Sequence, residues 1–425
     1  MRFKLITLLF LLYFFNRISS QEISFETDQI TQLADSLYYN KSGSYTENDY
    51  LRMQELRAAI VSNFADTLTK RYQISLAKKY ASDALYVSYK MEYDAAVVLS
   101  NKALNFYKIS GCKDLYFLAH LHKNLYKQYY YANDYDYALL HAKKTRDIFK
   151  ETLAYNHRLV AEAEFDIGYA LGRFEDYTKI IKQYKKAINL NISSRGENNE
   201  DVAIQEHHLA LIYDFIGFYK KELDSYLKVV RRWEAIESDD LDMSYLSLAY
   251  GSLSTWYMQH GDLEIAEQYL IKKENLVKKY KKKVRQWSNE TFRGRTKIHI
   301  WYSYGNLYLH KKDTINALVY NKKVLDFISN FDHSDKRNNP HNLSYYKVYL
   351  NLNKINSLKF KANIIKEKQP AEARLLYEKA LALEEKDAVS TSSLNIKLSL
   401  IKLYIESNEY EKAAQKNRRF RPHKV

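Results

Sequence analysis

Apolar residues recur at i, i+3, i+4 and i+7 along the chain, the stripe of an amphipathic helix rather than the alternation of a strand. The pattern predicts pairs of helices joined by short turns, and the pairs repeat. Aligned on the end of the first helix of each pair, eight copies emerge. Their markers are Val87, Tyr93 and Ala96; then Tyr129, Tyr135 and Ala138; then Gly168, Leu171 and Tyr177; then Ala210, Tyr213 and Tyr219. The fifth to eighth copies carry Ser254, Tyr257 and Ala266; Gly305, Tyr308 and Ala317; Ile364, Ala373 and Tyr377; and Tyr404, Tyr410 and Ala413. Tyr93, Tyr135, Tyr177 and Tyr219 fall at steps of 42 residues. Equal steps mark a repeat protein, in which each hairpin exposes an apolar face until the next one covers it.

Within a copy the spacing is steric. A small residue (Ala84, Gly168, Ala210, Ser254 or Gly305) is expected to let two helices approach. An aromatic one turn later (Tyr129, Tyr213, Tyr257 or Tyr308) is expected to fill the wedge between adjacent repeats. A glycine inside a helix costs about 1 kcal/mol relative to alanine, so Gly305 requires compensating close packing.

Composition agrees with helices. The 425 residues contain only 10 Gly and 3 Pro, too few for the many turns of a β-sandwich or an α/β domain, and the 46% hydrophobic content can bury a long core. Cys112 is the single cysteine, which excludes an internal disulfide framework and a cysteine-rich zinc site; it reads as a small apolar residue.

The segment Trp301, Tyr304, Gly305, Tyr308 and Ala317 follows W-x2-L-G-x2-Y with a later alanine, with tyrosine in place of leucine, and so resembles the tetratricopeptide repeat (TPR) family. The 42-residue step resembles the longer repeat of kinesin light chains, and residues 193–230 match that variant best. The resemblance implies an all-α protein: an α-solenoid, a right-handed superhelix of about eight helix-turn-helix repeats. They are placed near 77–110, 119–152, 161–194, 203–236, 247–280, 298–331, 354–387 and 394–425, within an array spanning 71–425. Residues 21–70 look helical but lack the repeat signature, as expected of an N-terminal helical cap. Longer steps before the sixth and seventh copies mark inserted connections. After Tyr410 the chain runs into "KNRRFRPHKV", which reads as a short basic cap or as the start of a lost continuation.

Arg2 and Lys4 precede an apolar run from Leu5 to Phe15, followed by Ser19 and Ser20. This is the layout of a signal peptide over residues 1–20, with cleavage near Ser20–Gln21 and an exported product, periplasmic or secreted, of bacterial type. The formal charge of +15 falls to +12 when Arg2, Lys4 and Arg17 leave with that segment. A basic surface suits an acidic partner, while export argues against nucleic acid.

Catalytic motifs are missing from the sequence: there is no phosphate loop, no G-x-G-x-x-G, no H-E-x-x-H and no G-x-S-x-G. Glu197, Glu200, Asp201, Glu206, His207 and His208 cluster, but the adjacent histidines point to different helix faces and the carboxylates suit a helix N-terminus, so no metal is assigned. Lys278, Lys279, Lys281, Lys282, Lys283 and Arg285 form the densest basic patch, a solvated helix end that could also meet an anionic membrane or envelope surface.

In the TPR family the first helix of each repeat lines a concave groove. Carrying those positions over names His120, Lys123, Lys127 and Tyr130, then Phe165 and Tyr169, then His207 and Asp214, then His299, Tyr302 and Asn306. Cations mixed with aromatics suit an extended protein or peptide segment with acidic and apolar side chains. The expected function is a non-enzymatic protein- or peptide-binding scaffold without a cofactor. Two alternatives stand beside it. One is the sensor segment of a larger protein, since similar bacterial arrays precede proteases, kinases or regulators; the other is anionic-surface binding through 278–285.

Overall fold

A computed structural model describes residues 20–39, 46–64, 66–174, 176–236, 243–280, 290–331, 340–387 and 393–418. Residues 1–19 of the segment expected to be a signal peptide, most of the basic run (Lys281, Lys282, Lys283 and Arg285) and the tail from 419 lie outside the described residues. All regular structure among the described residues is helical. None of these helices is long and apolar enough to cross a membrane.

The chain divides into two compact units, residues 1–197 and 198–425. In the first, α1 (Ser20–Tyr38) and α2 (Glu47–Ser62) precede three hairpins: α3 (Lys70–Tyr89) with α4 (Tyr93–Ser110), α5 (Leu115–Tyr131) with α6 (Tyr135–Thr152), and α7 (Arg158–Leu171) with α8 (Tyr177–Arg195). The second holds five: α9 (Glu200–Phe215) with α10 (Tyr219–Ala235), α11 (Ser244–Gln259) with α12 (Leu263–Tyr280), α13 (Glu290–His310) with α14 (Thr314–Ser329), α15 (Pro340–Ile365) with α16 (Pro370–Asp387), and α17 (Ser393–Glu406) with α18 (Tyr410–Arg418). Within each unit the helices pack pairwise in chain order.

The turn inside six of the hairpins is the same device. The N–H of Asp134 donates to Tyr129 O at 2.9 Å, Phe218 to Tyr213 at 2.8 Å, Asp262 to Tyr257 at 2.9 Å and Asp313 to Tyr308 at 2.8 Å. Glu92 donates likewise to Val87 at 3.2 Å and Glu409 to Tyr404 at 2.8 Å. Between donor and acceptor one residue (Met91, Asn133, Gly217, Gly261, Lys312 or Asn408) takes a left-handed φ of 60° to 90°. This is the Schellman closure, which satisfies carbonyls left open at a helix end. The markers that align the copies are therefore the acceptors of their turns. Aspartates at 134, 176 and 313 then cap the second helices, accepting from the backbone N–H three residues on.

The repeat aromatics pack against clusters shared with a neighbouring hairpin, as expected, and also against the second helix of their own hairpin. Tyr129 stacks on Tyr137 at 5.2 Å, Tyr257 on Tyr269 at 5.8 Å and Tyr308 on Tyr320 at 5.6 Å, each ring lying on the second helix of its own hairpin. The tyrosine position faces inward across the turn that it closes, so its ring meets the partner helix as well as a neighbouring repeat. The Tyr129 hydroxyl reaches the preceding hairpin, where it accepts from Asn101 Nδ2 at 3.1 Å.

The helix-contact glycines differ in tightness. A Cβ on Gly168 would lie 2.7 Å from the Tyr184 ring across the hairpin, whereas one on Gly305 would meet Phe360 Cζ at 3.3 Å and Ala317 O at 3.7 Å. Gly168→Ala is expected to lose roughly 1–3 kcal/mol by overpacking, despite the helical gain. Gly305→Ala is expected to be close to neutral, because Phe360 needs to yield only slightly while the helix gains about 1 kcal/mol. Thermal unfolding followed by circular dichroism reads the contrast; equal shifts for both variants would contradict it.

Candidate functional site: a tyrosine-lined basic recess

The first unit holds a recess of about 440 Å³. Its walls come from the cap (Tyr38, Tyr39 and Tyr50) and from the first helices α3 (Leu85, Ser88 and Tyr89), α5 (His120, Lys123, Asn124, Lys127, Gln128 and Tyr131) and α7 (Arg158, Leu159 and Glu162), with Tyr93 from the start of α4. In α5 the lining residues fall at 120, 123, 124, 127, 128 and 131, the i+3 and i+4 steps that keep one helix face turned inward.

Aromatic contacts fix the wall. Tyr39 packs against His120 at 5.0 Å and Tyr116 at 5.2 Å; Tyr50 lies 5.0 Å from Tyr89; Tyr93 stacks on Tyr131 at 5.0 Å. Hydrogen bonds tie the layers together, Asn124 Nδ2 donating to Tyr38 Oη at 2.9 Å and Gln128 Nε2 to Ser88 Oγ at 3.1 Å. Burial raises the Tyr39 phenol, so it stays protonated.

The floor is electrically mixed. Lys123 pairs with Glu162 at 2.7 Å. Burial works against the Lys123 ammonium, but Glu162 and Asp166 outweigh it and raise its pKa. Burial likewise opposes the Glu162 carboxylate, and Lys123 and Lys127 outweigh it and lower its pKa. Asp166, one turn on, is pushed the other way by burial and by the charge on Glu162. Lys127 is exposed and has no carboxylate of the described residues within ion-pairing distance. A ligand carboxylate would thus meet Lys127 without displacing an internal pair.

The residues carried over from the family scatter around this site. His120, Lys123 and Lys127 line the recess. Tyr130 does not: it is buried, packs on Tyr169 at 5.0 Å and accepts from Arg173 Nε at 3.0 Å, while its neighbour Tyr131 takes the lining position. Phe165 stacks on Tyr184 at 4.9 Å, and both it and Tyr169 are half-buried beside the recess without lining it. In the second unit His207 belongs to the core, 5% exposed between Tyr226 and Tyr245, whereas Asp214, His299 and Asn306 are exposed. Tyr302 is half-buried against Phe360 at 5.9 Å. Of the basic patch, Lys278 pairs with Glu274 at 2.9 Å, and Lys279 is exposed. Cys112 is a half-buried free thiol. No group of three His, Cys, Asp or Glu among the described residues could hold a metal ion.

Sequence reasoning missed the cap. Tyr38, Tyr39 and Tyr50 lie outside the repeat register, so no periodic signal marks them, yet they close one side of the recess.

No protein-family model matches the chain, and no curated protein matches it in sequence. Solved structures share its fold. The apo form of the quorum sensor NprR from B. thuringiensis is 12% identical, covering 94% of this chain and 98% of that one, with a TM-score of 0.60. Aspartyl phosphate phosphatase F from Bacillus subtilis is 16% identical over 86% of this chain and 87% of that one, with a TM-score of 0.53. A putative kinesin light chain from Podosopora anserina with TPR-like repeats is 14% identical over 52% of this chain and 100% of that one, with a TM-score of 0.41. With its consecutive helical hairpins and recurring turn, this chain has a TPR-like repeat fold.

Proposed function

We propose that this protein is a binding scaffold that takes an extended, acidic protein or peptide segment into the recess of its first unit. The observation that carries the reading is the lining itself: tyrosines from the cap and from α3 to α5 around the cations Lys123, Lys127 and Arg158. Tyrosine offers wide, rigid contact area with a polar tip, and unpaired Lys127 offers charge, a combination that suits apolar and acidic side chains in alternation. A quorum sensor and a phosphatase share the fold, so fold does not choose an activity. The recess does.

The test is a peptide array varied in acidic and aromatic content, probed with the full chain and with the Lys127→Glu/Arg158→Glu variant. Acidic peptides with apolar side chains should bind the natural chain, and the variant should bind them at least about tenfold more weakly, a loss of about 1.4 kcal/mol. Circular dichroism of the variant should be unchanged. Equal binding by both proteins, or no preference for acidic peptides, would remove the proposal.

A further inference from the structure

The fifth hairpin breaks the repeat at two facing positions. Eleven residues into each second helix, the other copies place a buried small or apolar-packed residue: Ala103, Thr145, Ala187, Val229, Val324 and Ala380. The fifth places Lys273, which is 3% exposed. Opposite it, twelve residues before each second helix begins, the other copies of the middle array carry a large side chain, namely Lys123, Phe165, His207 and Tyr302. The fifth carries Gly251. The two departures fit each other, because a Cβ on residue 251 would lie 2.6 Å from Lys273 Nζ.

Lys273 therefore threads from α12 into the space that α11 leaves open, between the inward serines Ser247 and Ser254 one turn to either side of Gly251. Among the described residues it has neither an ion-pairing carboxylate nor a hydrogen-bond partner. Burying an ammonium unpaired is costly, and a small or apolar residue at this position serves packing in six other copies. Packing thus does not account for the lysine. Gly251 is half-exposed, so the opening reaches the surface, and on α13 the exposed His299 feels the charge of Lys273. Ser254 Oγ is buried without a hydrogen-bond partner and offers a second donor on the same face.

We propose that the notch formed by Gly251 and filled by the ammonium of Lys273 is a binding point for a single oxyanion group, a carboxylate or a phosphate, presented to the first-helix face of the second unit. An arriving anion would supply the charge partner that the fold omits and would accept from Nζ and the nearby hydroxyl. Burial already holds the Lys273 amine near 8, so a bound anion would also restore its full protonation at neutral pH. The inference is independent of the recess in the first unit and survives if that reading fails.

The experiment is a thermal-unfolding titration of the full chain with succinate and, in a second arm, with inorganic phosphate, each against chloride at matched ionic strength. The natural protein should show a saturable rise of roughly 3 °C in at least one arm; the arm that responds identifies carboxylate or phosphate as the anion. Lys273→Met keeps the length and removes the charge, so it should fold with an equal or higher midpoint and lose the anion response. Gly251→Ala drives a methyl against Nζ and should weaken the response while circular dichroism stays helical. A response that persists undiminished in Lys273→Met, or no response in either arm of the natural protein, would overturn the proposal.

Discussion

Trp233→Ala is expected to destabilise the second unit by about 3–5 kcal/mol, the cost of removing a large buried aromatic whose site cannot collapse. Trp233 is 1% exposed and among the largest side chains buried in the protein. It sits near the end of α10 and lies parallel to the Tyr245 ring of α11 at 6.4 Å, in a core with Tyr226, Val229, Leu246 and Tyr250. That core joins two consecutive hairpins. In a stacked array such a loss falls on the interface term that each repeat shares with its neighbour, so the damage spreads beyond α10. Trp233→Phe separates packing from polarity: the indole Nε1 is buried with no hydrogen-bond partner, so nothing polar is lost by replacing it. The phenylalanine variant should therefore cost far less, on the order of 1 kcal/mol. Urea denaturation followed by circular dichroism measures both; similar losses for the two variants would mean that the indole's volume is not what the core depends on.

Repeat architecture was legible in the sequence because a turn that recurs needs its residues in fixed places. The markers at 129, 213, 257, 308 and 404 are visible as tyrosines, and each is the carbonyl that closes a Schellman turn. The groove was legible only in part. A first helix in such an array packs against its own partner and against helices on either side, so apolar and aromatic residues run almost all the way around it. Adjacent positions differ by a rotation of roughly 100°, and in "QYYY" the inward and groove-facing tyrosines, Tyr130 and Tyr131, look alike in sequence. The same ambiguity put His207 in the groove when its place is the core beside Tyr226. Lys273 was legible but hidden: it lies just before the lysines that read as a solvated helix end, and only its register, compared with Ala187 and Val229, shows that it occupies a core position.

Acidification from pH 7 to pH 5 is expected to destabilise the protein, and the cause is a set of imidazoles folded in the neutral state. His122 and His141 are buried between α5 and α6 with their Nδ1 atoms 2.8 Å apart, so one ring donates to the other and the acceptor ring cannot take up a proton at Nδ1 without breaking the pair. Burial and then the charge of His141 hold His122 near 3, while burial and then Lys144 hold His141 near 4. Burial also holds His207 and His208 near 4. Each folded value lies below the 6.5 of a free imidazole. The unfolded chain therefore takes up protons first, and this stability is complete above about pH 6.5 and lost as pH falls towards 4. Over pH 7 to 5 each such imidazole costs roughly 2 kcal/mol. Three carboxyls oppose them: burial raises Glu222 to about 7 and also raises Asp166 and Glu206, so the folded state binds protons there first and gains stability as pH falls. These carboxyls offset part of the loss from the imidazoles, which remains the larger effect. A paired variant isolates the histidine contribution. His122→Leu/His141→Leu replaces both members of one hydrogen bond by apolar groups, which is close to neutral at pH 7. Its stability should then change between pH 7 and 5 by roughly 4 kcal/mol less than that of the natural protein, or even rise on acidification. Urea titrations of both proteins at the two pH values give the comparison, and parallel pH dependences would show that the two imidazoles are not held neutral by the fold.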